Sequence, residues 1–221
     1  MMPDSKGFTF IEMLLVLVLS AVAAAIALPN LGGWRAKARA ANQAQQLANL
    51  LQYARGEAAR LNLTVYVCPA QIRVDGRAQG HCRAENRAQG LTAFADANQN
   101  RLYDDDTRDL SLRTVILNAN LTQGEAPKNT YRYQSCSAGG SCADTDDLVW
   151  AYYPDGAFGY GSRMGAQARM AAAGRLRVIV SDARADGSDA AARSAVVVID
   201  AGGRAEVCAK NDERAICRHP D

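Results

Sequence analysis

The sequence predicts an α+β fold in which one long amino-terminal helix lies against antiparallel β-sheets. Residues 8–61 have the pattern of a single helix, apolar at first and then amphipathic. From residue 63 onwards, short β-branched and aromatic runs alternate with turns rich in Gly, Asp and Asn. The composition agrees, because 48% hydrophobic and 22% charged residues are typical of a folded chain and exclude a disordered or collagen-like protein. The balance of 25 basic and 23 acidic residues excludes a long basic arm for nucleic acid.

The apolar segment from Phe8 to Leu28 contains one charged residue, Glu12. As a helix with about 1.5 Å of rise per residue, its 21 residues span roughly 31 Å, which is the hydrocarbon thickness of a bilayer. The segment therefore predicts a single membrane-spanning helix. The alternative is a cleaved secretory signal, because the small residues at 21–23 and at 23–25 fit the rule for signal peptidase.

Two features argue against a secretory signal. The leader before the apolar segment has only Lys6 against Asp4, so it lacks the positive charge of such signals. Glu12 lies inside the apolar segment, where an unpaired carboxylate costs about 2–3 kcal/mol. This carboxylate therefore needs a partner.

The residues Lys6-Gly7-Phe8-Thr9-Phe10-Ile11-Glu12 resemble the processing site of type IV pilins and pseudopilins, which has a basic residue, a Gly, an aromatic residue and a Glu. The resemblance implies that a prepilin peptidase removes residues 1–7 by cutting between Gly7 and Phe8, and then methylates the amine of Phe8. It also implies that Glu12 pairs with the terminal ammonium of a neighbouring subunit and sets the register of assembly. Pro29 stands where such proteins carry a Pro, at which the helix can bend or locally melt.

Residues 29–62 predict a continuation of the same helix, since the stretch after Trp34 has no Pro and carries one apolar stripe. The stripe consists of Leu47, Leu50, Leu51, Ala54, Ala58 and Leu61. The opposite face is polar and is expected to pack against other subunits. Strands are predicted at 63–68, 91–94, 113–117, 130–133, 148–153, 175–180 and 195–199. The loop from Gly156 to Gly174 is predicted to be the least structured part of the head, which is defined as residues 63–221.

The charges that flank the apolar segment predict one membrane topology, and the cysteines predict the opposite one. Arg35, Lys37 and Arg39 follow the segment, and the positive-inside rule would place the head in the cytoplasm. However, all six cysteines lie beyond residue 62 without a zinc-site spacing, which favours disulfides and an oxidising compartment. We therefore expect a single-pass protein of the inner membrane with its head in the periplasm.

Cys68-Pro69, Cys82, the run from Gly90 to Asn98 and the Asp-rich turn before Leu110 resemble the GspH/FimT group of minor pilins and pseudopilins. Six cysteines allow 15 pairings, and the choice that is local in sequence joins Cys68 to Cys82, Cys136 to Cys142 and Cys208 to Cys217. The resemblance supports the first of these pairs. A redox or metal role would need a Cys-x-x-Cys spacing, which is absent, so no cofactor is predicted.

The oxygen-bearing residues from Asp96 to Asp104 alternate as they do in a calcium loop. Arg101 replaces the Gly of such a loop and Thr107 replaces its bidentate Glu, so an Asx-rich turn is favoured over a metal site. The two histidines, His81 and His219, are not near a nucleophile pattern, and there is no phosphate-binding loop. The sequence therefore predicts no enzyme.

DNA binding is the alternative function, because some proteins of the FimT group are DNA receptors with a Gly-Arg-x-Arg pattern. This chain has Gly203-Arg204-Ala205-Glu206, and the tail after it carries no net charge, so little counterion release is expected. A second candidate is the set of arginines near the aromatic residues after Tyr152, namely Arg163, Arg169, Arg175 and Arg177. Scattered solvated arginines are the commoner explanation, so DNA is not the favoured partner.

The resemblances together imply a minor pilin or pseudopilin in the tip or initiation complex of a type IV pilus or of a type II secretion pseudopilus. The partners implied are other pilin or pseudopilin subunits, the prepilin peptidase and the inner membrane.

Overall fold

The computed structural model describes residues 8–104, 108–119, 121–137, 141–172, 174–186, 188–209 and 212–218, and only the backbone of 26–31, 122 and 188. The predicted leader with Gly7, as well as Thr107 and His219, lies outside the described residues. The structure divides into two compact units, one up to Ala36 and one from Lys37 onwards.

The long helix, α1, runs over Phe10–Leu61 and confirms the predicted amino-terminal helix. It begins beside Thr9, whose hydroxyl accepts a hydrogen bond from the backbone N–H of Glu12 at 3.3 Å. The backbone stays helical through Pro29. In the part of the chain whose side chains are described, no helix is both long and apolar enough to cross a membrane. The last residues of the predicted span, 26–28, are outside that part.

The strands form two antiparallel sheets and one small hairpin. Their bounds are β1 (Val65–Pro69), β2 (Gln71–Ile72), β3 (Ala78–Gln79), β4 (Gly90–Ala95), β5 (Leu110–Ile116), β6 (Asn129–Cys136), β7 (Cys142–Asp144), β8 (Val149–Tyr152), β9 (Phe158–Gly161), β10 (Ala168–Arg169), β11 (Arg175–Asp182), β12 (Ser194–Ile199) and β13 (Ala205–Val207), with a short helix α2 (Ser188–Ala192). The six-stranded sheet has the order β10-β9-β8-β1-β4-β5, and the five-stranded sheet has the order β13-β12-β11-β6-β7. The hairpin β2–β3 forms a separate two-stranded sheet that contacts β4 and β5.

One apolar core joins the second half of α1 to the inner faces of both sheets. The predicted stripe supplies it, since Leu47, Leu50, Leu51, Ala54 and Ala58 are fully buried. Trp150 and Tyr152 of β8 are the largest side chains in this core. Each sheet also covers a smaller apolar cluster on its outer face, one around Phe94 and one around Ile179. The burial of both faces explains why several strands have continuous apolar runs.

The prediction that the loop from Gly156 to Gly174 is the least structured part of the head is wrong, because β9 and β10 lie within it and extend the six-stranded sheet. The glycines that suggested a loop permit close backbone contact. A Cβ on Gly161 would lie 2.5 Å from the carbonyl oxygen of Ala166, and one on Gly159 would lie 2.9 Å from that of Ala168. These glycines therefore let the hairpin close.

All six cysteines form disulfides, which join Cys68 to Cys82, Cys136 to Cys142 and Cys208 to Cys217. These are the pairs that are local in sequence. The first connects the end of β1 to the segment after β3, and its Cys68 is fully buried beneath the outer face of the six-stranded sheet.

Replacing both Cys68 and Cys82 with Ala should lower the free energy of unfolding by about 3 kcal/mol, because the unfolded chain then regains the entropy of a closed loop of about 15 residues. Urea unfolding of the full chain in detergent measures this. Val74→Ala is the control, since Val74 lies in the same loop and is 96% exposed. Equal urea midpoints for the double variant and the control would contradict the expectation.

Candidate functional site

The first turns of α1 expose an apolar surface. Phe8, Phe10 and Ile11 are each more than 70% exposed, and the large apolar side chains that follow them up to Val22 are also exposed. Glu12 lies in the first turn, where the helix dipole favours a negative charge. An apolar surface of this extent on a single chain indicates contact with lipid or with other apolar helices. The assembly roles of Phe8, Glu12 and Pro29 stay predictions.

The four arginines considered for DNA lie on different sheets. Arg169 is on β10 of the six-stranded sheet, and Arg163 precedes it in the same hairpin, whereas Arg175 and Arg177 are on β11 of the five-stranded sheet. The Arg169 guanidinium forms an ion pair with Asp155 at 3.1 Å and lies 5.0 Å from the centre of the Tyr153 ring. Its charge is therefore partly compensated within the head.

Arg177 is buried within the fold and is not part of the surface. It is only 6% exposed, and its guanidinium donates to Gln134 Oε1 at 2.6 Å and to the carbonyl oxygens of Ile216 and Arg218 at 3.0 and 2.9 Å. Burial lowers the pKa of this guanidinium, because desolvation disfavours the charged form. Arg177 thus holds the carboxyl-terminal segment against the outer face of the five-stranded sheet. Ile216 packs there beside Ile179 and Val198.

The carboxyl-terminal segment also neutralises its own charges. Arg214 forms ion pairs with Glu206 and Asp212, and these two carboxylates raise the pKa of Arg214. Arg214 and Glu206 also line a small cavity of about 180 Å³, together with Arg175, Asp200 and Arg204. Within the head, Asp212 and Glu206 therefore compensate the charge of Arg214.

Replacing Arg177 with Met should lower the free energy of unfolding by about 2–3 kcal/mol, since two carbonyl oxygens lose a charged donor. It should also release the carboxyl-terminal segment to proteases. Limited proteolysis and urea unfolding of the full chain measure both effects. Arg175→Met, two residues away on the same strand and exposed, is the matched control. Equal cleavage of the two variants would contradict the conclusion that Arg177 holds the carboxyl-terminal segment in place.

One cavity of the head has a volume of about 520 Å³ and lies where β1 begins and β8 and β4 end. Tyr66 and Asp96 form its buried side, each 2% exposed. Desolvation raises the pKa of Tyr66 to about 12 and also raises the pKa of Asp96. The lining is polar and includes amides and the guanidinium groups of Arg101 and Arg169.

The Asp-rich loop beside this cavity forms Asx turns. The Asp96 carboxylate accepts hydrogen bonds from the backbone N–H groups of Asn100 and Arg101 at 3.2 and 2.9 Å. Asp109, which is fully buried, accepts from the backbone N–H groups of Ala97 and Asp104. The two carboxylates therefore stabilise the loop backbone. The sequence reasoning did not identify Asp109, and the available signal was an Asp that closes the Asp-rich turn directly before Leu110.

A comparison with solved structures found proteins that are similar to this chain. The chain is similar to the type IV minor pilin FimU of Pseudomonas aeruginosa, with a TM-score of 0.43 and 13% identity over 77% of this chain and 88% of that chain. It is also similar to the minor pseudopilin EPSH from the type II secretion system of Vibrio cholerae, with a TM-score of 0.38 and 12% identity over 78% and 95% of the two chains. No curated protein sequence matches the chain.

Two family models match the sequence itself. The prokaryotic N-terminal methylation motif matches residues 2–28, which include the predicted processing site and the apolar segment. The model described as type II transport protein GspH matches residues 43–203, from the second half of α1 to the end of the turn after β12. This match covers most of the chain. The chain therefore belongs to the GspH family of minor pilins and pseudopilins and carries their N-terminal methylation motif.

Proposed function

We propose that the protein is a structural subunit of the tip or initiation complex of a type IV pilus or of the pseudopilus of a type II secretion system. The observation that carries the proposal is the order of the two matches in one chain, with a methylation motif before residue 28 and a GspH head from residue 43. The first part supplies assembly through a helix, and the second supplies contacts with other subunits.

The proposed pathway begins in the inner membrane, where residues 8–28 anchor the precursor and the head lies in the periplasm. A prepilin peptidase then removes residues 1–7 and methylates Phe8. The exposed apolar side chains of the first turns support this pathway, because they need a lipid or helix environment both before and after assembly. The three disulfides support the periplasmic position, since disulfides persist in oxidising compartments.

On assembly, Glu12 would pair with the methylated amine of a neighbouring subunit. The cost of keeping a carboxylate in an apolar helix bundle is then offset by an opposite charge. The pair forms in one register only, so Glu12 positions each new subunit along the helix axis. The protein contributes binding surfaces to this process, in line with a family of structural subunits.

Deletion of the gene, followed by complementation, tests the proposal. Loss of the chain should sharply reduce either the number of surface filaments or the amount of protein secreted by the type II system, and the wild-type gene should restore it. Filament counts by electron microscopy and assays of secreted protein distinguish the two systems. Normal filaments and normal secretion in the deletion strain would contradict the proposed function.

A further inference from the structure

The edge strand β5 differs from the other sheet edges. In the described part of the chain, the two large sheets end in four strands, of which β10 has two residues and β7 and β13 have three each. Strand β5 has seven residues, with a β-bulge at Leu112, which stands between the pairs Arg113–Ala93 and Ser111–Phe94. Short edges limit pairing with other chains, whereas a long one presents a row of backbone donors and acceptors. The part of β5 after the bulge, from Arg113 to Ile116, is the longest regular edge among these four strands.

The backbone of β5 alternates between its neighbour β4 and the open side. The N–H of Leu117 donates to the carbonyl oxygen of Gln89 at 2.9 Å, so the backbone groups of these two residues point towards each other. The next pair along the ladder is Ile116 with Gly90. The carbonyl oxygen of Gly90 accepts from Ala70 on its other side. By the alternation of an antiparallel ladder, Thr114 and Ile116 direct their N–H and C=O groups away from β4. The Thr114 hydroxyl donates to the carbonyl oxygen of Gly76, in the turn between β2 and β3, at 3.0 Å, so this turn lies beside the edge.

The side chains of β5 combine apolar and basic chemistry. Leu110 and Ile116 are 44% and 43% exposed. Arg113 is exposed at the centre of the strand, and its guanidinium lies 5.6 Å from the centre of the Tyr53 ring on α1. Among the described residues, Arg113 has no carboxylate within ion-pair distance. The edge thus offers backbone hydrogen bonds, two apolar contacts and one uncompensated positive charge.

The position of Arg113 argues against a second copy of the chain as the occupant. Two copies related by a twofold axis would pair β5 with β5 antiparallel, and full overlap of the seven residues would place Arg113 opposite Arg113. Like charges directly opposite each other destabilise a strand pair. A different strand with an Asp or Glu at that position would instead gain an ion pair.

We propose that β5 binds an extended segment of another pilin-family subunit, which adds a strand to the six-stranded sheet and places a carboxylate opposite Arg113. This inference rests on the proposed function, since it assumes a complex with such subunits. It assigns the head a contact that does not involve the amino-terminal helix.

Two matched pairs of variants of the full chain test the proposal, each coexpressed with the other pilin subunits of its own system. Ile116→Pro removes the outward N–H, whereas Ile116→Thr removes only the apolar side chain. Arg113→Glu reverses the central charge, whereas Arg184→Glu reverses an exposed charge elsewhere on the head. We expect the Pro and Arg113 variants to reduce copurification of those subunits about tenfold. Ile116→Thr loses one apolar contact but keeps the outward N–H, so it should reduce copurification clearly less than Ile116→Pro does, and Arg184→Glu should stay within about twofold of wild type.

Deuterium exchange of the wild-type complex gives the direct readout. The β5 amides should exchange about tenfold more slowly in the complex than in the chain alone, while those of β13 should not change. Unchanged exchange in β11 of the Ile116→Pro variant would show that it is folded, and Arg113→Glu gives an independent result with an unaltered backbone.

Unaltered copurification of both edge variants, with normal copurification of wild type, would overturn this inference and leave the proposed function intact. Protection of β5 that rises with the concentration of the chain alone would identify a second copy as the occupant and would also overturn it. Absence of any copurification with wild type would contradict the proposed function itself.

Discussion

Replacing Gly7 with Val should leave almost all of the protein in the membrane at precursor size, seven residues longer than the mature chain. The physical reason is that a residue without a side chain lets the peptidase approach the backbone at the scissile bond, and a β-branched side chain prevents this approach. Intact mass spectrometry of the membrane fraction, with prepilin peptidase coexpressed, measures the ratio of precursor to mature protein.

Thr9→Val is the matched control for this experiment, because it introduces the same side chain two residues later. We expect the control to be processed as wild type is. Mature protein in normal amounts from the Gly7 variant would contradict processing as a pilin.

Replacing Glu12 with Val should leave membrane insertion unchanged or improved and should reduce incorporation into filaments or subunit complexes about tenfold or more. Insertion improves because the substitution removes a cost of about 2–3 kcal/mol for a carboxylate in the apolar segment. Assembly declines because the terminal ammonium of the neighbouring subunit loses its opposite charge, and an uncompensated buried charge costs several kcal/mol. The ratio of the chain in isolated filaments to the chain in membranes measures the effect.

Ser20→Val provides the control, since it also replaces a polar side chain by Val in the same segment. If the Glu12 variant copurifies with filaments as well as this control does, Glu12 is not a register contact.

The parts of the fold that local patterns determine were predictable from the sequence. Helix α1 follows from the apolar segment and the stripe from Leu47 to Ala58, because these features repeat at helical spacing over many turns. The long strands, such as β11 and β12, follow from β-branched runs. The short strands β7, β9, β10 and β13 have two to four residues each, and their partner strands define them more than their own residues do.

Arg177 shows why the candidate surface could be predicted only in part. The sequence makes Arg177 one of four candidate DNA contacts, but the structure buries it beneath a segment that lies about 40 residues later in the chain. The sequence does contain one indication that Arg177 is buried. Ile179 shares a face of β11 with Arg177, while Leu176 and Val178 fill the main core on the other face. A strand that is apolar on both faces is covered on both faces, so an arginine within it needs buried acceptors.

The amino terminus of the mature protein tests the central claim most directly, because cleavage and methylation at one position distinguish a pilin from any other anchored or secreted protein. Mass spectrometry of the chain isolated from its native membranes and filaments should find an amino-terminal peptide that begins with N-methylated Phe8. A chain that begins after Ala23 or Ala25, as signal peptidase would produce, or that retains residues 1–7 throughout, would contradict the account.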